Sequence, residues 1–149
     1  IAQTAGPKES TLHLLMFGEI GIGLLACLFL EINALVFALL IVIFFLHQAT
    51  ALWDVSYAVR HRRVSPLEQH VHSFLEILPL AAGLIVAARH WDAFLSVFGL
   101  GTVAADWRLR PSLPTAPAGH VAALLLASVC LALAPYAQEW WRAWRVKRA

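Results

Sequence analysis

Charged residues are scarce in this sequence. Asp, Glu, Lys and Arg make up 13% of its 149 residues, while 60% are hydrophobic and the mean hydropathy is +0.73. Soluble domains carry about 25% charged residues. So few charges cannot cover the surface of a soluble globule of this length, which excludes that class of protein. The composition predicts an integral membrane protein, folded as a single transmembrane domain over residues 1–149.

Cysteine is also rare, which excludes a disulfide-rich scaffold. The two cysteines, Cys27 and Cys130, each lie inside an apolar run. Buried thiols in such surroundings usually behave as small hydrophobic residues. We therefore expect both to serve in packing, and the lack of further cysteines argues against an iron–sulfur centre.

The apolar sequence divides into four predicted spans, because a helix needs about 20 mostly apolar residues to cross a bilayer. The run from Thr11 to Leu46 is too long for one crossing, and Asn33 in its middle is a favourable N-cap for a new helix. Ser65 and Pro66 favour another helix start. The predicted helices cover about 11–30, 34–59, 67–88 and 120–138.

A shorter apolar stretch, about 93–105, precedes the last predicted helix. It has only 13 residues and contains Gly99 and Gly101, so it is too short to span and is predicted to be interfacial or re-entrant. The expected fold class is all-α: an integral membrane four-helix bundle connected up-down-up-down, with this segment before the last helix.

Basic residues are concentrated in two short runs, 60–63 and 142–148, each beside an apolar stretch. No basic stripe is interleaved with exposed aromatic residues, so nucleic-acid binding is excluded. Cytoplasmic loops of membrane proteins are enriched in Lys and Arg. With four spans, both runs and Lys8 lie on one side, which predicts a multi-pass protein of the cell membrane with both termini in the cytoplasm.

Ionisable side chains intrude into the second predicted helix. Such a group costs about 2.5–3.5 kcal/mol at membrane depth on insertion scales and therefore needs a partner. His47, Asp54 and His61 are seven residues apart, so each returns to within about 20° of the same helix face. His47 and His61 are about 21 Å apart along the helix, too far to share one metal ion.

A second polar stripe begins the third predicted helix, where Glu68, His72 and Glu76 are four residues apart. His70 is about 160° from His72 and is the weaker candidate. The short loop between the helices makes them antiparallel neighbours, so we expect the two stripes to converge near the cytoplasmic half of the bundle. Glu19 of the first helix would lie one to two turns deeper.

Carboxylates and imidazoles on facing helices are the ligands of di-iron and di-manganese bundles, and zinc accepts the same groups. The predicted function is a membrane metalloprotein with two divalent ions, iron, manganese or zinc, in redox chemistry on a lipid-soluble substrate. A quinone, a fatty acyl chain or a hydrocarbon would suit, and a metal hydrolase fits the same site. The core ligands would be Asp54, Glu68, His72 and Glu76, with His61, His47 and Glu19 as further ligands or their supports.

Other classes of function remain open from the sequence. The Glu-x-x-His repeat of ferritin-like bundles and the histidine boxes of membrane hydroxylases are both absent. One alternative is a b-type haem protein that carries electrons, with His47 and His72 as axial ligands. Another is a non-enzymatic membrane subunit whose Asp/Glu–His cluster only fixes helix register; a proton or ion path is weaker still. We expect membrane lipid as a partner and, with it, a redox partner or membrane complex. We expect His13, His90 and His120 to lie near membrane interfaces as snorkelling or loop residues.

Overall fold

Four helices are long and apolar enough to cross a membrane. The computed structural model describes residues 6–148. The side chains of residues 147 and 148, at the end of the second basic run, are not described. The described chain is all-helical, as predicted, and contains no strand. The elements are α1 (Pro7–Phe29), α2 (Ala34–His61), α3 (Pro66–Arg89), α4 (Trp91–Ser96), α5 (Ala118–Ser128), a π-helical turn (Val129–Leu133) and α6 (Ala134–Arg148). The up-down-up-down connection across a membrane stays a prediction.

The helix starts follow from local sequence. The predicted division of the first apolar run is confirmed, since Asn33 caps α2 and its Oδ1 accepts a hydrogen bond from the Val36 N–H at 3.1 Å. Ser65 caps α3 in the same way, with its Oγ accepting from the Glu68 N–H at 3.2 Å. Two boundaries differ from the prediction. Helix α1 begins four residues earlier, at Pro7, because proline is favoured in the first helical turn, and the last helix continues ten residues further, beyond 138.

Packing centres on α1, which contacts α2 and α6, while α3 contacts chiefly α2 and α4. Helices α1 and α2 are in contact at Gly23, where an added Cβ would meet Leu40 Cδ2 at 3.5 Å, an ordinary van der Waals distance. Helix α3 is much less enclosed, and its buried residues are Glu68 and Ala87. The result is a tightly packed α1–α2 pair with an open crevice along α3.

The chain between α4 and α5 folds over the turn that joins α1 and α2. The Glu31 N–H donates to the Arg110 carbonyl at 2.9 Å, and the Ser112 N–H donates to the Phe29 carbonyl at 2.8 Å. Of the predicted 93–105 segment, only the first residues belong to α4, and turns with positive φ at Gly99 and Gly101 follow. The depth of this segment in a membrane stays a prediction.

The last spanning helix changes its winding in the middle. The π-helical turn precedes Pro135, which has no N–H to donate and whose ring clashes with the carbonyl four residues earlier in a regular α-helix. A π-turn accommodates one extra residue and so rotates the helix that follows. In this arrangement Tyr136 and Glu139 of α6 face α1, with the Tyr136 and His13 ring centroids 5.6 Å apart.

Candidate metal centre

Three potential metal ligands from three helices meet inside the bundle. They are His13 of α1, Asp54 of α2 and His72 of α3, and one donor atom of each lies within 4.8 Å of the other two. His13 Nε2 is 3.2 Å from Asp54 Oδ2. A tetrahedral ion with bonds of about 2.0–2.1 Å separates neighbouring donors by roughly 3.4 Å. The His13–Asp54 distance is already near that spacing, while the three donors as a set lie within 4.8 Å of one another.

Asp54 is the best-enclosed member of the group. Its exposed fraction is 0%, yet neither carboxylate oxygen accepts a hydrogen bond with acceptable geometry in the described structure. His13 Nε2, 3.2 Å from Oδ2, forms an ion pair with this carboxylate when the imidazole is protonated. An isolated carboxylate inside an apolar medium is very costly unless a cation or hydrogen-bond donors compensate it. Either a protonated His13 or a bound cation can supply that compensation to Asp54.

A second carboxylate supports His13 from behind. His13 Nδ1 is 3.0 Å from Glu139 Oε1, and the same oxygen accepts a hydrogen bond from Ser10 Oγ at 3.0 Å. Both His13 and Glu139 are buried. Histidines that bind metal through one nitrogen usually donate the N–H of the other to a carboxylate, which fixes the tautomer and the ring orientation. Glu139 is in place to do this if His13 binds through Nε2.

Asp54 and His72 are the two predicted ligands that this group unites. Glu76 lies one turn further along α3 and lines a cavity of about 250 Å³ between α2 and α3, together with Glu68 and His72. His72 is the member of the three-residue group that lines this cavity. Glu76 is thus close to the group without belonging to it.

Glu68 has a different partner from the predicted one. Arg62, in the loop after α2, donates hydrogen bonds to both Glu68 and Glu9, including one from Nη1 to Glu68 Oε2 at 2.9 Å. The hydrogen bonds to Glu68, and then those to Glu9, raise the pKa of the Arg62 guanidinium above its ordinary value. Arg62, Glu9 and Glu68 thus form an ion triad that joins the ends of α1, α2 and α3. In this triad the Glu68 carboxylate is paired with Arg62.

His61 lies outside the three-residue group. It is exposed, its ring stacks on Tyr57 with centroids 4.0 Å apart, and its Nδ1 is 2.8 Å from the Tyr57 carbonyl oxygen. His70 is also exposed, whereas His72 is half-buried. Of the two histidines that begin α3, the structure directs His72 towards the site.

Glu19 and His47 form a separate polar group deeper in the bundle. Glu19 Oε1 accepts a hydrogen bond from Thr50 Oγ1 at 2.8 Å, and Glu19 Oε2 is 3.5 Å from His47 Nδ1. Because His47 precedes Asp54 by seven residues, the two lie about 10 Å apart along α2. That separation is too large for one compact metal site to include both groups.

Two residues of the site escape the sequence analysis. The expectation that His13 is a snorkelling or loop residue is wrong, because His13 lies within α1, is 5% exposed and lies against Asp54. The sequence feature that points to His13 is its spacing of four residues from Glu9, which places two ionisable groups on one face of α1. Glu139 lies among tryptophans and arginines near the chain end, and no spacing in the sequence connects it to His13.

The fold and the site together define a membrane-spanning helical protein with a buried His/Asp group able to hold a metal ion. No family model, curated protein or solved structure matches this chain. The function must therefore be inferred from the chemistry of the group itself.

Proposed function

We propose that this protein is a membrane metalloenzyme whose centre is held by His13, Asp54 and His72. The observation that carries the proposal is Asp54, a fully buried carboxylate that accepts no hydrogen bond and lies beside two imidazoles. A protonated His13 would compensate Oδ2 alone and would leave Oδ1 without a partner. A divalent cation would neutralise the carboxylate and give it strong ligand bonds instead.

The ligand set favours catalysis over a purely structural ion. Two histidines and one carboxylate leave coordination positions open, as in catalytic zinc sites and in non-haem iron oxygenases. The cavity of about 250 Å³ beside His72 gives a small molecule access to those positions. Iron in this ligand set supports the predicted redox chemistry on a lipid-soluble substrate. Such a substrate can reach the crevice between α2 and α3 directly from the bilayer.

We further propose one ion per chain in place of the two expected from the sequence. The described residues bring three donors together, while Glu68 is paired with Arg62 and the Glu19–His47 group lies about two turns away. Haem is less favoured for the same reason, because the two predicted axial ligands, His47 and His72, belong to different groups.

Elemental analysis of protein purified in mild detergent without chelator tests the proposal. We expect about one iron or zinc ion per chain, as one complete ligand set implies. Asp54→Asn and His72→Ala should lose the ion. His70→Ala is the matched control, since it removes an exposed imidazole two residues away on the same helix, and should retain it.

Thermal unfolding gives an independent measurement. A chelator should lower the unfolding temperature of the wild type and of His70→Ala, because a ligand that binds the folded state stabilises it, but should leave His72→Ala unchanged. Equal metal content in wild type and His72→Ala would contradict the proposal, as would a wild type that binds neither added Fe²⁺ nor added Zn²⁺. A Soret band would favour the haem alternative instead.

A further inference from the structure

An apolar groove of about 410 Å³ runs between α1, α2 and α3. Its walls include Ile20 of α1, Phe44 of α2, and Pro79, Gly83 and Ala87 of α3. The volume lies in the range of pockets that bind small molecules, about 300–1,000 Å³. The metal group lies towards the opposite end of the same three helices.

The groove and the polar cavity beside His72 lie along one face of α3. His72, Glu76, Pro79, Gly83 and Ala87 follow one another at intervals of three or four residues, which places them in a single stripe. The first two line the polar cavity and the last three line the groove. From Glu76 to Ala87 the stripe is about 16 Å long. The crevice along α3 is therefore polar at the metal end and apolar beyond it.

We infer that this crevice binds the substrate of the proposed metal centre and that the substrate is a single-chain amphipathic lipid. The apolar chain occupies the groove, and the polar end lies at His72 and Glu76. The inference rests on the proposed function, since it assigns a substrate class to that centre. The complementarity of the crevice to one polar end and one apolar chain carries it: a two-chain phospholipid would have to leave one chain outside the groove.

Gly83 allows a direct test. Gly83 lines the groove and a Cβ there meets nothing within 4 Å, so Gly83→Leu takes up groove space, and leucine is a better helix former than glycine. Gly18→Leu is the matched control, because Gly18 is an exposed glycine of α1 with equally open surroundings and lies outside the groove. Ala82→Leu, at another groove position, is a second filling variant.

The probe is a fatty acid with a diazirine in its chain, added to protein in phosphatidylcholine vesicles and photolysed. We expect cross-links on groove residues, with a yield that falls by about tenfold in Gly83→Leu and Ala82→Leu, because the leucine side chains take the space of the lipid chain; tenfold corresponds to about 1.4 kcal/mol. Gly18→Leu should cross-link like the wild type. A phosphatidylcholine carrying the same diazirine should label the groove weakly and without dependence on residue 83.

Metal content measured in the same preparations separates the two proposals. Full metal content together with equal cross-linking in Gly83→Leu and Gly18→Leu would overturn the lipid inference alone, since the fatty acid would then contact the protein only as bulk lipid does. Equal labelling by the one-chain and two-chain probes would overturn it as well. A wild type that binds no metal yet shows cross-linking dependent on residue 83 would overturn the proposed function and leave a lipid-binding protein.

Discussion

Asp54 and Glu139 have different tasks in the site although both are buried carboxylates. Asp54 has bare oxygens and faces two imidazoles, which suits direct contact with a cation. Glu139 already accepts a hydrogen bond from Ser10 Oγ. It also accepts one from His13 when the imidazole proton is on Nδ1, which leaves Nε2 unprotonated. The division of tasks follows from which hydrogen-bond donors each carboxylate meets.

Replacing Glu139 should weaken metal binding without abolishing it. Glu139→Gln keeps an oxygen that can accept from His13 Nδ1 but removes the negative charge that strengthens the imidazole as a ligand. Loss of such a supporting group costs about 10–100-fold in metal affinity. Competition with a chromophoric chelator measures the change. Gln138→Ala, an exposed neighbour on α6, is the control and should bind as tightly as the wild type.

An unchanged affinity in Glu139→Gln would mean that His13 does not bind a metal through Nε2. The site would then have to consist of Asp54 and His72 with other donors. The prediction therefore tests the geometry of the proposed centre and not only its existence.

Among the helical elements, α1, α2 and α3 are joined at one end by Arg62. Its guanidinium bonds Glu9 of α1 and Glu68 of α3, and both carboxylates are buried. The metal group lies about one turn inside this triad on α1 and α3. Because α3 is otherwise poorly enclosed, the triad is the main polar connection that holds His72 near His13.

Arg62→Ala should destabilise the bundle strongly. Removing the guanidinium leaves two buried carboxylates without their cation, and breaking a buried ion pair costs about 3–5 kcal/mol. Arg63→Ala, an exposed neighbour, should change stability by about 0.5 kcal/mol or less. Unfolding in mild detergent, followed by circular dichroism, compares the two variants. The same midpoint in both would show that the triad contributes nothing measurable.

At the scale of the whole molecule, much of the surface is apolar. Helix α3 alone exposes large residues on several sides, among them Leu67, Phe74, Ile77, Leu84 and Ile85. Four helices of spanning length with such surfaces are those of a multi-pass membrane protein. The side of the membrane on which each loop lies depends on charge, which the packing does not determine.

The distribution of Lys and Arg predicts that the loop between α2 and α3 is cytoplasmic. In a chain carrying Cys27→Ser and Cys130→Ser, Ser65→Cys should react with a membrane-impermeant maleimide only after the cells are permeabilised. Thr115→Cys, in the exposed loop before α5, should react in intact cells. The reverse pattern would place both termini outside, and labelling of both positions in intact cells would contradict an even arrangement of four spans.

The sequence by itself determined the class of the protein and the starts of its second and third helices. Hydropathy and helix caps act locally, so the scarcity of charge identified a membrane protein, and Asn33 and Ser65 marked the starts of α2 and α3. The periodicity of α2 and α3 also placed Asp54 and His72 on facing stripes. These inferences need no knowledge of how distant elements pack.

Only the tertiary structure decided which polar residues meet. Glu68 follows the helical spacing of His72, but Arg62 holds it in an ion triad instead. The π-turn and Pro135 set the rotation of α6, and this rotation brings Glu139 against His13. Helical spacing specifies a face and not the partner that the face will contact. The partner depends on helix rotation and on competition between hydrogen-bonding groups, and both are properties of the packed bundle.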